Sequence, residues 1–328
     1  MPVRGRRARP AQRGQLAAAG QQAGPAAGGT RVSGTQRWLV TGACGQFGAH
    51  ACALLRSRGA ETLGLNRTSC AGDHGEVLRT ELGHPEKLDR ILTRYAPTHI
   101  LHLAGIASPT KADRDQVDTW TVHVAVTQRL AAFAAATGAW LLYPSTDFVW
   151  DGRRDGRYAP SDPPTPTTLY GRYKTAGERT ALASGAAAVV RFPLMVGLPV
   201  CPRPTTWTRM VEAIRAGQTL PACVDEFRTP LSFVDAAAVA VELGVRRAHG
   251  LFHAAGPEVL SPHDILSRIA VALGQPPRLK EISRMDLPGG RQRPRNVAMD
   301  ASALTALLPA NLPQPLSVET MGKLLAVA

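Results

Sequence analysis

The 328-residue chain is 44% hydrophobic and 19% charged, an ordinary globular balance, and no apolar run approaches the roughly 18–20 residues that a membrane-spanning helix needs. A net charge of +13 suggests a polyanionic partner, but seven of those charges are arginines of residues 1–37 (Arg4, Arg6, Arg7, Arg9, Arg13, Arg31, Arg37), a stretch without an acidic residue. The remainder carries +6, its basic residues mostly arginine in a chain rich in alanine and glycine, so compositional bias explains the charge better than a nucleic-acid groove.

Residues 1–37 read as a disordered basic tail or a mis-assigned start, since they offer too little apolar surface to offset the entropy of ordering. From Trp38 onward short apolar runs alternate with helical patterns. Trp38–Val40 reads as a strand, and Gly45–Arg58 as a helix with Phe47, Ala51 and Leu54/Leu55 on one face. Strands follow at Glu61–Leu65 and Val77–Leu82, a helix at His84–Tyr95, a buried strand at His99–Ala104 and one long helix over Gln116–Thr137. Then come a strand at Trp140–Val149, a helix at Tyr170–Ala183 and a strand at Ala187–Phe192. This β-α-β order implies an α/β fold, a doubly wound parallel sheet of the Rossmann type with helices on both faces.

Beyond Gly197 the pattern loosens. Helices are expected at Thr205–Ala216, Asp235–Arg247 and Pro262–Leu273, extended segments at Leu231–Val234 and Gly250–Ala255, and two short terminal helices after the Pro/Arg-rich Pro288–Arg295. The expected division is a dinucleotide-binding domain over 38–198 and a mainly substrate-binding, smaller lobe over 199–328, with 231–255 returning to the main sheet. The five cysteines (Cys44, Cys52, Cys70, Cys201, Cys223) form no C-x-x-C pair, and no secretory signal core precedes them, so reduced thiols in a cytoplasmic protein are expected.

Gly42, Gly45 and Gly48 stand at the junction of the first strand and helix. Gly42 permits the tight turn, Gly45 lets the backbone approach a pyrophosphate, and Gly48 lets the helix pack on the strand. The helix N-terminus then offers unpaired N–H groups and a positive dipole end to the phosphates. The second strand ends in Asn66-Arg67, where an acidic residue would bind ribose hydroxyls and repel a 2′-phosphate. A neutral residue followed by a cation favours NADP(H), with NAD as the second candidate. Glu81-Leu82 falls where an acidic residue approaches adenine.

Tyr170 and Lys174 are four residues apart, on one face of a helix. A carbonyl reductase needs a proton donor at the alcohol oxygen, and a phenol near pKa 10 serves only when a cation stabilises its phenolate. Lys174 is the expected cation and also a grip for ribose hydroxyls. At the carboxyl end of the strand over Trp140–Val149, Thr146 is placed to bond the substrate carbonyl, with Ser145 the runner-up and Asp147 a candidate for substrate hydroxyls or secondary proton transfer.

Together these residues resemble the extended short-chain dehydrogenase/reductases, and within them the dTDP-4-dehydrorhamnose reductase family. The motifs are TGACGQFG (Thr41–Gly48), HLAG (His102–Gly105), STDFVWDG (Ser145–Gly152), YGRYKTAGE (Tyr170–Glu178), RFPLMVG (Arg191–Gly197), DEFRTP (Asp225–Pro230) and RPRNVAMD (Arg293–Asp300). The resemblance spans Trp38 to the C-terminus. It implies Thr146, Tyr170 and Lys174 as the catalytic trio and NADPH-dependent reduction of a nucleotide-sugar 4-ketone. It further implies a cofactor site from Gly42, Cys44, Gly45, Gln46, Phe47, Gly48, Asn66, Arg67, Leu103, Ala104 and Gly105 with Tyr170 and Lys174. Ser145, Asp147, Phe148, Arg228 and Arg293 are the substrate candidates, in a monomer or homodimer without a nucleic-acid or membrane partner.

Four positions depart from the family pattern. His50 stands where many of these reductases carry an acidic residue, which puts a magnesium-linked dimer in doubt. His123 replaces the usual Asn of the long helix, to relay a proton or to pack. Trp150 replaces Phe. Arg228 replaces a small residue, and Arg228 and Arg293 read equally as diphosphate contacts or exposed loop arginines. His102, in an apolar strand with no second ligand at metal spacing, reads as a satisfied core residue, and no metal is expected. A non-catalytic NADP-binding subunit like that of methionine adenosyltransferase, a sugar-nucleotide epimerase and a non-sugar ketoreductase are the alternatives.

Overall fold

Alternation within the apolar runs puts successive side chains into two different cores. The computed structural model describes residues 35–70, 75–200, 205–287 and 289–326; most of the basic tail, Cys201 and Pro288 lie outside them. In chain order the first half comprises β1 (Arg37–Thr41), α1 (Gln46–Ser57), β2 (Glu61–Asn66), β3 (Glu76–Arg79), α2 (Pro85–Tyr95), β4 (His99–His102), α3 (Pro109–Arg114), α4 (Gln116–Trp120), a π-helical turn (Thr121–Ala125), α5 (Val126–Thr137) and β5 (Trp140–Thr146). A 3-10 turn (Asp147–Val149), α6 (Leu169–Leu182), β6 (Ala187–Phe192), β7 (Met195–Val196), α7 (Thr206–Arg215), β8 (Leu220–Cys223), β9 (Leu231–Ser232), α8 (Phe233–Val245) and β10 (Gly250–His253) follow. The chain continues through α9 (Pro262–Ala272), β11 (Leu279–Ile282), α10 (Ser302–Thr305) and α11 (Val318–Ala326).

Seven strands form one sheet in the order β10-β6-β5-β4-β1-β2-β3, every neighbouring pair parallel. Trp38, Val40, Leu101 and Leu142 enter the core on one face, with Ala236, Val239 and Ala240 of α8 and Ala51 and Leu55 of α1. Leu39, Ile100 and Leu141 enter the other, with Leu88 and Leu92 of α2 and Leu130 and Ala134 of α5. Both faces are therefore covered, which accounts for continuous rather than alternating hydrophobicity. A third cluster joins α7, α9 and α11 through Val211, Ile269 and Met321, beside the two-stranded pair β8–β11.

Several local expectations are corrected. The long helix over Gln116–Thr137 is present, but it contains a π-helical turn at Thr121–Ala125 between α4 and α5. The strand expected over Val77–Leu82 ends at Arg79, and that over Trp140–Val149 ends at Thr146. Of the segment 231–255, β10 joins the main sheet beside β6, whereas β9 pairs with β7 outside it. The thiols are not all reduced: Cys44 and Cys70 form a disulfide with Cα atoms 5.6 Å apart.

Candidate active site

Gly42 turns the chain at the end of β1 with φ +68°, and its N–H donates to Leu65 O at 2.8 Å, tying the ends of β1 and β2 together. A Cβ there would lie 2.7 Å from the Ala104 backbone, and one on Gly48 would lie 2.1 Å from Gly42 O, so only glycine admits these approaches. The first turn of α1 starts at Gly45, which has no side chain to cap it, and contains no acidic residue. Its N–H groups and positive dipole end are thus left for an outside anion.

Beside this turn lies a cleft of about 540 Å³, lined by Gly42, Gly45, Asn66, Arg67, Leu103, Ala104 and Gly105 of the expected set and by Thr68, Glu81, Leu82, Asp118 and Val122. Other members of the expected cofactor set do not line it. Cys44 is bonded to Cys70, the Gln46 amide donates to Gly197 O at 3.3 Å, and the buried Phe47 ring meets Phe192 edge-on at 4.9 Å. The Arg67 side chain is 66% exposed, 3.7 Å from the Asp118 carboxylate. The Asn66 amide donates to Thr68 O at 2.8 Å. Arg79, which the sequence reading passed over, donates to Arg67 O at 3.3 Å and brings a second cation to this end.

Thr146, Tyr170 and Lys174 do not line this cleft; they form the other part of the site, which is buried and built from side chains. Thr146 ends β5 and caps the following turn, its Oγ1 accepting from Phe148 N at 3.2 Å. Thr168 caps α6 by accepting from Gly171 N, and this helix presents Tyr170 and Lys174 on one buried face. Gly177 lets the helix reach the sheet: a Cβ there would fall 2.2 Å from Tyr143 Oη and 2.4 Å from His123 O. Thr146 lies near enough to Tyr170 to favour its phenolate. Lys174 Nζ donates to Pro144 O at 2.8 Å and lies 5.1 Å from the centre of the Tyr143 ring. His123, on the π turn, approaches Tyr170 edge-on at 6.2 Å, and its Nε2 is 3.1 Å from Ile106 O. Two buried polar atoms here, His123 Nδ1 and Ser145 Oγ, have no hydrogen-bond partner among the described residues.

Burial pushes the Tyr170 phenol up; Thr146 and Arg228 pull it down and Asp147 adds to the rise. Asp147 and Arg228 are thus charged side chains that act on the phenol. Burial lowers the Lys174 ammonium to about 7 against a weaker pull from Glu178. Burial, then Lys174, keeps His123 well below the usual imidazole range.

Arg228 is not an exposed loop residue: it is buried, its Nη1 2.7 Å from Asp147 Oδ2 and its guanidinium 4.7 Å from the centre of the Phe148 ring. Arg293 is bonded through Nε and Nη2 to Glu226, the second contact at 2.9 Å. His50 stacks on Phe233 with its Nε2 3.3 Å from Leu198 O. His102 is the core residue expected, bonded to Thr41 Oγ1 at 2.8 Å and to Val122 O at 3.0 Å. Two motif residues have structural partners: Arg191 and Glu178 make a buried two-pronged ion pair at 2.8 and 2.9 Å that ties β6 to α6. The buried Trp150 ring lies 4.8 Å from the Arg191 guanidinium and 4.5 Å from Tyr158.

From β1 the chain moves outward through β2 and β3, then crosses back to place β4 on the other side of β1. Ligands of open parallel sheets bind outside the strand ends at such a crossover, and the cleft opens there, which defines a Rossmann-type protein. Residues 36–317 match the model of the RmlD substrate binding domain, and the chain belongs to that family.

Among similar proteins, methionine adenosyltransferase 2 subunit beta of Pongo abelii is 30% identical over 283 residues, covering 83% of this chain and 82% of that one. The dTDP-4-keto-6-deoxy-D-glucose reductase of Streptomyces niveus is 28% identical over 274 residues, covering 82% of this chain and 90% of that one. A solved dTDP-4-dehydrorhamnose reductase of Bacillus anthracis, in complex with NADP, superposes with a TM-score of 0.76 at 18% identity over 88% of this chain and 98% of that one.

Proposed function

We propose that this protein is an NADPH-dependent oxidoreductase that reduces a keto group on a nucleotide-activated deoxysugar. The observation that carries the reading is the buried trio of Thr146 at the end of β5 with Tyr170 and Lys174 one helical turn apart on α6. The residues present fit a dinucleotide. The uncapped N-terminus of α1 suits the pyrophosphate, Arg67 and Arg79 suit a 2′-phosphate, and the buried Ser145 Oγ and His123 Nδ1 suit polar groups arriving at the reaction end. The reductase names of the Streptomyces and Bacillus proteins, and the NADP in the latter, agree with this.

When bound, the dinucleotide supplies the hydride. Tyr170 donates its proton to the carbonyl oxygen, and its raised pKa keeps that proton in place through the neutral range. Thr146 orients the same oxygen. Lys174 turns from Pro144 O to the ribose hydroxyls and supports the phenolate left by proton transfer. In this reading residues 38–198 hold the cofactor and 199–328 select the sugar. The protein works in the cytoplasm as a monomer or homodimer.

The Pongo relative's name supports a second reading, a regulatory subunit that binds NADP without turnover. Incubating the chain with NADPH and a panel of nucleotide 4-keto-sugars separates the two. The first predicts loss of NADPH absorbance that disappears in Tyr170→Phe; no turnover, with a stable partner unaffected by that substitution, overturns it.

A further inference from the structure

A row of buried charges reaches the reaction end from the C-terminal half of the chain. Glu226 holds Arg293 through both oxygens and lies 4.0 Å from Arg228 Nη2. Arg228 bonds Asp147 at 2.7 Å, and Asp147 Oδ1 accepts from Thr146 Oγ1 at 3.3 Å. Phe148 links this row to the phenol, 4.7 Å beneath the Arg228 guanidinium and 6.0 Å from the Tyr170 ring at 74°. Arg228 and Asp147 are 5% and 1% exposed.

We propose that Arg228 is a positioning residue for proton transfer at Tyr170, acting through Asp147 and Thr146 rather than as a ligand of the substrate diphosphate. The inference rests on the ketoreductase reading and deepens it. A buried carboxylate directly after Thr146 opposes formation of a phenolate beside it. Arg228 neutralises that carboxylate, and its own charge favours the phenolate. Asp147 in turn accepts the Thr146 hydroxyl proton, which leaves a Thr146 lone pair for the phenol O–H until substrate arrives. Asp147 takes its side-chain hydrogen bonds from Thr146 and Arg228, not from the other titratable groups around the phenol. Lys174 is engaged by Pro144 O, burial keeps His123 neutral, and burial keeps Tyr143 protonated.

The test reads the phenol directly and needs no turnover. With 3-fluorotyrosine placed at position 170 in the full chain loaded with NADP, its 19F resonance is titrated with pH. Arg228→Met is expected to raise the midpoint by at least about one pH unit, and Asp147→Asn, a near-isosteric change that preserves packing, to lower it. Arg228→Lys is expected to stay near the parent, and Arg228→Met/Asp147→Asn to return toward it. Shifts of the same sign in Arg228→Met and Asp147→Asn, or none in either, overturn the proposal. Steady-state rates on the same variants separate it from the ketoreductase reading. The proposal expects a kcat loss of about tenfold in Arg228→Met with KM for the sugar nucleotide within about twofold. A rise in KM alone makes Arg228 a diphosphate ligand and leaves the ketoreductase reading standing. Absence of turnover in the parent chain defeats that reading, while the resonance still decides the role of Arg228.

Discussion

The two ends of the site are made of different material. The end beside Arg67 is an open cleft walled largely by glycine turns and strand ends, with an exposed cation at its rim. The end around Tyr170 is closed and built from side chains, nearly all of them buried. Electrostatic interactions are screened at the first and strong at the second. Backbone and exposed charge therefore suffice to hold a ligand, while moving a proton takes buried groups whose positions are fixed in advance.

Substitutions that break this contrast should do so unequally. The largest effect is expected from Tyr170→Phe, a kcat loss of about 10²- to 10⁴-fold with NADPH affinity nearly unchanged, read from steady-state rates beside fluorescence titration of the cofactor. Next comes the support of the buried end. Glu178→Ala leaves the Arg191 guanidinium without its carboxylate and should cost about 3–5 kcal/mol of stability in urea unfolding.

A smaller effect concerns Lys174. Its ammonium is charged below about pH 7 and neutral above, so NADPH affinity should weaken as pH rises through that value. In Lys174→Met the profile should be flat there; a parent profile without a step near pH 7 would defeat this assignment. The smallest effect belongs to the open end. Arg67→Ala removes an exposed cation worth roughly 1 kcal/mol, a several-fold loss for NADPH and none for NADH. Equal losses would remove Arg67 from the 2′-phosphate.

The parallel sheet and the glycine turn were legible in the sequence because both depend on local patterns, apolar runs and a Gly triplet between a strand and a helix. Tyr170 and Lys174 were legible for the same reason, since helical spacing alone puts them on one face. The π turn around His123 was not, because it adds a single residue to a continuous helix and leaves its apolar periodicity nearly intact. Nor was the burial of Arg228, which follows from folding a late loop over the end of β5, or the Cys44–Cys70 bond, which joins residues from different strand ends. Gly177 left a usable signal. It lies seven residues after Tyr170, on the same helical face, where a missing side chain implies close packing.

The disulfide also bears on the entropy of ligand capture. Cys44 sits inside the turn suited to the pyrophosphate, and Cys70 lies in the loop after β2 that carries Arg67, so the bond ties the two rims of the cleft covalently. In the chain-entropy account, closing the 26-residue separation restricts the unfolded chain by about 3.5 kcal/mol. In the folded protein the same bond means that a dinucleotide meets a seat already assembled, and less of its binding energy goes to ordering loops.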